Sequence, residues 1–352
     1  SIRHDTTSSS GFVYSYMNTW NCNNYGARMT VVASSGACAT GAVAVTSGVV
    51  GLLHSAARNA GITLSAGEVY QLIVQTVHDI WLSDADRDRS GAYPSAEGWD
   101  PFYGYGRVHA DNAVRAVDEG RIPPVATIDE PAWFATIDRG ETDSVAIEGT
   151  LSGRTDEVDY VLEYGLGNDP QSWTTLDAGR KSGAAVVTAT LDLDDVPPVV
   201  IDEAEYTEKI VERLERVNQP AVTVRLRVTD EDGLQGEMRK TFFVDGDPDT
   251  VAGFPIDMGT SGESSPILAD LDGDNIFEIL IGTADGTVLA IRGDGTMVDG
   301  WPVTADPIDL EHPGAEAYAS GAVTLDTSDS FIATVAVGDV DADGEPEVVA
   351  AS

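Results

Sequence analysis

Residues 270–281 read DLDGDNIFEILI, and residues 339–349 read DVDADGEPEVV. In both stretches aspartates occupy alternate positions, a glycine lies among them, and a glutamate precedes an apolar segment. Alternating carboxylates in a tight turn are the pattern that hard divalent cations prefer, and glycine permits the sharp turning. The apolar segments are rich in β-branched residues, so we expect strands beside both loops. The sequence therefore predicts a repeated, β-rich, cation-binding region.

The predicted ligands of both loops are oxygen atoms. The first loop offers Asp270, Asp272, Asp274, the backbone carbonyl of Ile276, and Glu278, and the second offers Asp339, Asp341, Asp343, Glu345 and Glu347. An EF-hand is disfavoured because the closing glutamate is the ninth residue of the loop rather than the twelfth. We therefore expect Ca²⁺ as the cofactor, in a β context. A solvated acidic turn is the alternative interpretation.

A third run, Asp84, Asp86 and Asp88, is interrupted by arginines and lacks a closing glutamate, so it is a weaker indication of a metal.

Other short motifs also recur in this part of the chain. Gly-Phe-Pro at residues 253–255 returns as Gly-Trp-Pro at residues 300–302. Short strands between Gly/Asp turns favour propeller blades over a solenoid. Together with residues 285–288 (DGTV), these motifs resemble the calcium-binding blades of integrin-α-like FG-GAP propellers. The resemblance implies that residues 248–352 form an incomplete propeller with a protein or carbohydrate ligand.

The charge of the chain limits its partners. It has 59 acidic and 20 basic residues, a net charge of −39. Such a surface repels nucleic acid, so we expect no nucleic-acid partner. A surface that stays hydrated at high salt and carboxylates committed to cation sites both explain the acidity, and both explanations stay open.

We expect a fragment of an extracellular or cell-surface protein. The chain starts at Ser1 without a leader sequence. Its longest strongly apolar stretch, residues 41–53, is too short to cross a bilayer, so no transmembrane segment is expected. Cys22 and Cys38 pair in an oxidising compartment or remain two free thiols, and the sequence leaves both alternatives open.

Two helices are expected before residue 122. Residues 41–60 are small and apolar nearly all round, which predicts a helix buried centrally. Ser65 and Glu68 form a capping box, which predicts a second helix from Ser65 to about Ile80. Pro123 and Pro124 cannot continue a helix or a central strand, so we expect a linker there.

Residues 122–247 predict a β-sandwich. Strands are expected within residues 144–147, 158–164, 185–191 and 221–228, with an inserted helix over residues 203–217. Alternation places Val222, Val224, Leu226 and Val228 in the core with Trp173, and it places Arg225 and Arg227 in water. Residues 221–244 resemble the last strands of immunoglobulin-like or polycystic-kidney-disease-type domains, which follow many secreted peptidases. A spacer or substrate-docking role is expected.

Residues 1–121 resemble the C-terminal part of a subtilisin-like serine peptidase domain. Residues 24–34 resemble the strand that leads to the nucleophile, residues 41–53 the helix that carries it, and GWDPFYGYGRVHA at residues 98–110 the closing motif. The resemblance implies an α/β fold and a secreted endopeptidase that acts on polypeptides. The Asp and His of the triad would lie outside this chain.

Aligning Gly48 with the glycine of the family's helix places Thr40 at the nucleophile position. A hydroxyl there would benefit from the positive end of the helix dipole. Ser34 and Ser35 are the alternates, because the preceding loop is short for the family. The methyl group of threonine restricts its side chain, which disfavours it at a site shaped for serine. A thiol mechanism through Cys38 is less favoured, because nothing in the sequence places a base beside it. His4, His54, His78 and His109 match no histidine motif of the family, so we expect ordinary histidines.

The predicted fold class is multidomain: half of an α/β subtilisin-like domain, a β-sandwich, and partial propeller blades. Two functions follow. The first is an extracellular serine-type endopeptidase in the full-length protein. The second is a non-catalytic, calcium-dependent adhesion or binding protein that retains a degenerate peptidase domain.

Overall fold

The computed structural model describes residues 3–5, 14–16, 24–34, 39–83, 93–198, 218–245, 251–262, 264–307 and 328–351. They belong to two compact units, Ser1–Gly246 and Asp247–Ser352. Within these ranges the protein is mostly β, with several separate sheets, none of them closed, and few helices. The expected helix over residues 203–217, the acidic run at residues 84–88, Ser35 and both cysteines lie outside the described residues.

The helices and strands are numbered here in chain order. The helices are α1 (Ala39–Ala60), α2 (Ala66–Gln75) and α3 (Ala110–Asp118). The strands of the first unit are β1 (Arg3–Asp5), β2 (Tyr14–Tyr16), β3 (Val125–Glu130), β4 (Thr136–Asp138), β5 (Ser144–Ser152), β6 (Glu157–Leu166), β7 (Thr174–Ser182), β8 (Ala185–Asp192), β9 (Ala221–Asp230) and β10 (Gln235–Asp245). Those of the second unit are β11 (Ile267–Ala269), β12 (Glu278–Gly282), β13 (Thr287–Ile291), β14 (Val303–Thr304), β15 (Ala336–Gly338) and β16 (Glu347–Val349).

Helix α1 is not the central helix that its composition predicted. Val49 and Leu53 are buried in a core shared with α2 and α3, whereas Val43, Val45 and Leu52 are 64%, 45% and 52% exposed. An all-round apolar composition does not decide burial, because burial also requires partners on every face. Residues 40–60 are also long and apolar enough to cross a membrane, a test that the core helix of a soluble protein also passes. The sequence argument against a membrane span rested on the length of residues 41–53. The helix that contains them has 22 residues, so that argument from length does not apply to it.

Helix α2 begins with the predicted capping box. The amide of Glu68 donates to Ser65 Oγ at 3.2 Å, and the amide of Ser65 donates to Glu68 Oε2 at 2.8 Å. The helix ends at Gln75 rather than near Ile80. The reason is that His78 leaves the helix to pair with Arg107, with main-chain hydrogen bonds of 2.8 Å in both directions.

The Gly-Tyr-Gly motif packs beside the segment that leads to α1. The backbone amide of Tyr105 donates to the carbonyl of Thr30 at 2.8 Å, and that of Val108 donates to the carbonyl of Val32 at 2.9 Å. Gly104 and Gly106 adopt φ values of 60° and 128°, and a Cβ on either would come within 3 Å of the neighbouring backbone. Gly104 makes this close approach to Thr30 and Gly106 to His78, so the motif makes glycine-dependent contacts with two other segments of the chain.

The remainder of the first unit consists of two sheets that enclose one core. The five-stranded sheet has the order β4-β10-β9-β6-β7, and the three-stranded sheet has the order β3-β5-β8. All four predicted strand runs are found, and Val222, Val224, Leu226 and Val228 are fully buried in the shared core. Residues of both sheets share this core, and we refer to the two sheets together as the sandwich. The sandwich shares its unit with the helices, and Ile122, Pro123 and Pro124 are buried rather than forming an exposed linker.

The second unit contains a four-stranded antiparallel sheet, β11-β12-β13-β14, and a separate hairpin, β15-β16. Leu280, Val288 and Ala290 share a core with Phe331 and Val335. The strands have two to five residues each, and the aspartates of both acidic loops lie in the connections between them.

Candidate functional site

The two acidic loops lie at equivalent places in two hairpins. Residues 270–277 connect β11 to β12, and residues 339–346 connect β15 to β16. The register pairs Ala269 with Glu278 and Gly338 with Glu347. Each closing glutamate is therefore the first residue of its strand, directly across from the residue that precedes the first aspartate.

The loop at residues 270–277 is organised around its own carboxylates. Asp270 accepts the amides of Gly273 (Oδ1, 2.7 Å) and Asn275 (Oδ2, 2.9 Å). Glu278 Oε2 accepts the amide of Leu271 at 2.8 Å. Because the first and last acidic residues both bind the loop backbone, their positions are fixed by the fold of the loop.

The loop at residues 339–346 repeats this pattern. Asp339 Oδ2 accepts the amide of Gly344 at 3.1 Å, Glu347 Oε2 accepts that of Val340 at 2.6 Å, and Asp343 Oδ1 accepts that of Glu345 at 2.8 Å. In the first loop the counterpart of this last bond joins Asp274 Oδ1 to the amide of Ile276 at 2.7 Å.

The two loops also share their backbone conformation. Left-handed residues occur at two matching positions in each loop: Gly273 (φ 78°) and Asn275 (φ 67°) in the first, Ala342 (φ 64°) and Gly344 (φ 96°) in the second. The glycine therefore occupies a different one of the two left-handed positions in each loop. Sequence reasoning identified one turning glycine per loop and missed the second left-handed position.

Three carboxylates converge in each loop. One oxygen from each of Asp270, Asp272 and Glu278 lies within 4.8 Å of the others, and the same holds for Asp339, Asp341 and Glu347. Glu278 is only 2% exposed. Asp274, Asp343 and Glu345, also predicted as ligands, lie outside these groups of carboxylates. Like charges at this separation repel one another, and a cation bound between them would offset the repulsion. A group of this kind could therefore hold a metal ion.

The predicted nucleophile lies at the start of α1. Thr40 is exposed in the first turn of the helix. Ser34, one of its alternates, is half-buried in an isolated β-bridge before the helix.

His109 caps α3, since its Nδ1 accepts the amide of Asn112 at 3.2 Å, and this is the ordinary role that was expected. His54 and His78 are exposed.

A cluster of arginine and tryptophan side chains was missed by the sequence analysis. The guanidinium carbon of Arg225 lies 3.8 Å from the ring centroid of Trp173, and that of Arg239 lies 3.9 Å from that of Trp99. The prediction that Arg225 faces water is wrong, because its side chain is only 18% exposed and pairs with Glu163 at 2.7 Å. Trp173 is half-buried outside the sandwich core that it was expected to fill.

Comparison with known proteins does not assign the chain to a family. No known family matches it, and no curated protein matches it. Among solved structures, a β-glucosidase from Listeria innocua in complex with isofagomine aligns at 14% identity and a TM-score of 0.18, covering 42% of this chain and 18% of the glucosidase. The sporulation control protein Spo0M from Bacillus subtilis aligns at 12% identity and a TM-score of 0.19, covering 48% of this chain and 77% of Spo0M. These similarities are too low to carry an argument about fold or function.

Proposed function

We propose that the second unit is a calcium-binding module with one ion in each acidic loop. The observation that carries this proposal is the repetition itself. Two loops in separate hairpins share their carboxylate spacing, their left-handed positions and the hydrogen bond that a backbone amide donates to the closing glutamate. Glu278 is 2% exposed beside two aspartates, and a buried carboxylate among like charges is stabilised by a bound cation.

Calcium fits this donor set better than other common ions. The side-chain ligands are carboxylates, which are hard oxygen donors, and neither group contains the histidine or cysteine that zinc prefers. Asp272, Asp339 and Asp341 are exposed, which leaves room for the six to eight oxygens, some from water, that calcium accepts. Magnesium demands a near-ideal octahedron and is the less favoured hard cation. The site is proposed to use the backbone carbonyl of Ile276 as a further ligand.

Calcium titration by isothermal calorimetry tests this proposal. We expect two sites in the intact chain and loss of one site in each of the variants Glu278→Gln and Glu347→Gln. Glu345→Gln is the matched control, because Glu345 is exposed in the same loop but outside the carboxylate group. Failure of the intact chain to bind calcium, or equal losses in the control, contradicts the proposal.

The wider proposal is that this module belongs to an FG-GAP-type propeller in an extracellular or cell-surface protein. The four-stranded antiparallel sheet β11–β14 supports it, since a propeller blade is a sheet of four antiparallel strands. Its partner is proposed to be a protein or a carbohydrate. Calcium then has a structural role, because it holds the hairpin loops that border each blade.

A second candidate function is proteolysis by the full-length protein. It is favoured by the position of Thr40, an exposed residue in the first turn of a helix of 22 residues. The free amides at such a helix start favour negative charge on an attacked carbonyl. The glycine-dependent contact between residues 104–108 and residues 30–32 is in keeping with the subtilisin-like resemblance. The domains are then proposed as residues 1–121, 122–247 and 248–352.

A fluorophosphonate probe tests the proteolytic function. The full-length protein is labelled in calcium, and the modified residue is mapped by peptide mass spectrometry in the natural sequence and in Thr40→Ala. Labelling of Thr40 that disappears in the variant supports a serine-type mechanism. Labelling of Ser34 or Ser35 moves the nucleophile to that residue. Folded protein without labelling contradicts proteolysis and leaves calcium-dependent binding as the function.

A further inference from the structure

Two adjoining cavities lie within the first unit, where residues 94–105 approach the five-stranded sheet. The first, of about 430 Å³, is lined by Arg239, Trp99 and Trp173, and we call it the charged cavity. The second, of about 560 Å³, is lined by Pro101, Phe102 and Leu166, and we call it the apolar cavity. Both volumes fall in the range of small-molecule sites. Ala96, Asp169 and Gln171 border both cavities, so the two meet there.

Arg239 is an unsatisfied cation in the wall of the charged cavity. Its side chain is 8% exposed, and its guanidinium lies over Trp99. Nε and Nη2 are buried and have no hydrogen-bond partner. The ion-pair partner Asp169 stays 3.7 Å from Nη2, too far for a hydrogen bond. A buried charged donor without an acceptor is costly, so an oxygen acceptor bound beside these two nitrogens would stabilise the side chain.

The other arginines of the charged cavity are already paired. Arg225 and Arg227 both bind Glu163, at 2.7 and 2.9 Å, and Glu163 is buried. Among the described residues that line this cavity, the unmet demand for an acceptor is therefore that of Arg239.

The two nitrogens of Arg239 without a hydrogen-bond partner determine which kind of acceptor would fit beside them. Nε and Nη2 form one edge of the guanidinium, whose two N–H groups match the two oxygens of a carboxylate. Glu97, Asp169 and Glu237 also line the cavity, so a doubly charged phosphate would meet like charges. The same acids can accept hydrogen bonds from an ammonium group. The charge pattern therefore fits a zwitterion.

The apolar cavity supplies the second half of the recognition. Pro101, Phe102 and Leu166 provide apolar contact, and Leu166 is 48% exposed without a ligand. An apolar group that covered this surface would gain free energy in proportion to the area removed from water.

We propose that the two cavities together bind a small zwitterion with an apolar side chain, either a free apolar amino acid or a short apolar peptide. The ligand carboxylate takes the place of Asp169 beside Arg239, the ammonium lies against the acids of the charged cavity, and the apolar side chain fills the apolar cavity. Asp169 is suited to displacement because its contact with Arg239 is long. This binding does not depend on the acidic loops of the second unit.

Isothermal calorimetry on the intact chain tests the proposal, in EDTA so that the acidic loops do not contribute. The ligands are L-leucine, L-leucyl-L-leucine, the dipeptide's C-terminal amide and its N-acetyl derivative. We expect the amide to bind about tenfold more weakly than the dipeptide, because it loses a charge-assisted pair of hydrogen bonds. The N-acetyl derivative should also lose affinity. Tighter binding of leucine identifies the free amino acid as the source, and tighter binding of the dipeptide identifies a peptide.

Two variants separate binding from folding. Arg239→Lys loses the two-donor edge and should weaken binding of the better ligand about tenfold. Asp169→Asn removes the competing carboxylate and should tighten binding severalfold, a gain that a misfolded protein cannot show. Arg180→Gln is the control, because Arg180 lies on β7 of the same sheet, is exposed and pairs with Asp159. The proposal is overturned if no ligand binds at millimolar concentration, if the amide binds as well as the acid, or if Asp169→Asn does not strengthen binding.

Discussion

The side-chain amide of Gln71 forms a reciprocal pair of hydrogen bonds with the main chain of Glu237. Its Oε1 accepts the amide of Glu237 at 3.0 Å, and its Nε2 donates to the carbonyl of Glu237 at 3.1 Å. Nε2 also lies 3.5 Å from the carbonyl of Ala126. Gln71 is fully buried, so one side chain joins helix α2 to strands β10 and β3.

The first prediction concerns this junction. Gln71→Leu keeps the size of the side chain but leaves the amide and the carbonyl of Glu237 without these partners. We expect the free energy of unfolding of the first unit to fall by about 2 kcal/mol, the cost of two partly buried groups that lose their hydrogen bonds. Urea unfolding followed by tryptophan fluorescence measures it. Gln75→Leu, one turn later and exposed, is the control, and equal losses in both variants would show that the junction is unimportant.

A gain of stability is expected at the exposed face of α1. Gly48 is an exposed residue in the helix interior, and, apart from the local backbone of the helix itself, no atom of the described residues lies within 4 Å of a Cβ built there. Gly48→Ala should therefore stabilise the chain by about 1 kcal/mol through helix propensity. Thermal unfolding provides the measurement. A loss of stability would mean that something in the protein occupies the space beside Gly48.

The second acidic loop carries backbone strain that a single substitution should relieve. Ala342 adopts a φ of 64°, which costs an alanine free energy but costs a glycine almost none. We expect Ala342→Gly to stabilise the second unit by about 1 kcal/mol, and Gly344→Ala, at φ 96°, to destabilise it. Calcium-free thermal unfolding compares the two variants. Changes of the same sign in both would contradict the shared loop conformation.

The stability of the first unit should depend on the protonation of Asp100. Burial raises the pKa of its carboxyl to about 7, against hydrogen bonds from Tyr103, Phe102 and Ala96 that lower it. Because the folded state holds this proton more tightly than the unfolded state, stability declines as the pH rises from about 4 to about 7 and levels off above that. The slope is at most about 1.4 kcal/mol per pH unit for one proton.

Urea unfolding at several pH values checks this expectation. Asp100→Asn, which cannot ionise, should remove the decline, whereas Asp111→Asn, at an exposed site on α3, should leave it in place. An unchanged pH dependence in Asp100→Asn would assign it to another group.

Features that depend on neighbours in sequence could be predicted. The capping box of Ser65 and Glu68 and the alternation of Val222 to Val228 follow from local geometry, and both are found. The carboxylates at the first and third positions and the closing glutamate of each acidic loop also converge as the spacing indicated. Which cation they bind is not fixed by spacing, so calcium stays a prediction.

Features that depend on distant residues could not be predicted. The exposure of α1 depends on which of its faces other elements contact, and its composition does not record this. Arg225 alternates with the core valines of β9, and this pattern predicted an exposed side chain. Trp173, from the connection before β7, covers it instead. Gln71 lies in an apolar run of α2, and its partner is 166 residues away. Each of these contacts is set by tertiary packing.

The close packing of Pro124 against Gly236 has a mechanical consequence. A Cβ on Gly236 would lie 1.9 Å from the Pro124 carbonyl oxygen, so the two backbones are in direct contact with no side chain between them. A tension applied along the chain on either side of residues 122–125 would therefore load this contact and the amide pair of Gln71 together. Residues 122–125 would then transmit the force, and the helices and the sandwich would respond to tension as one unit.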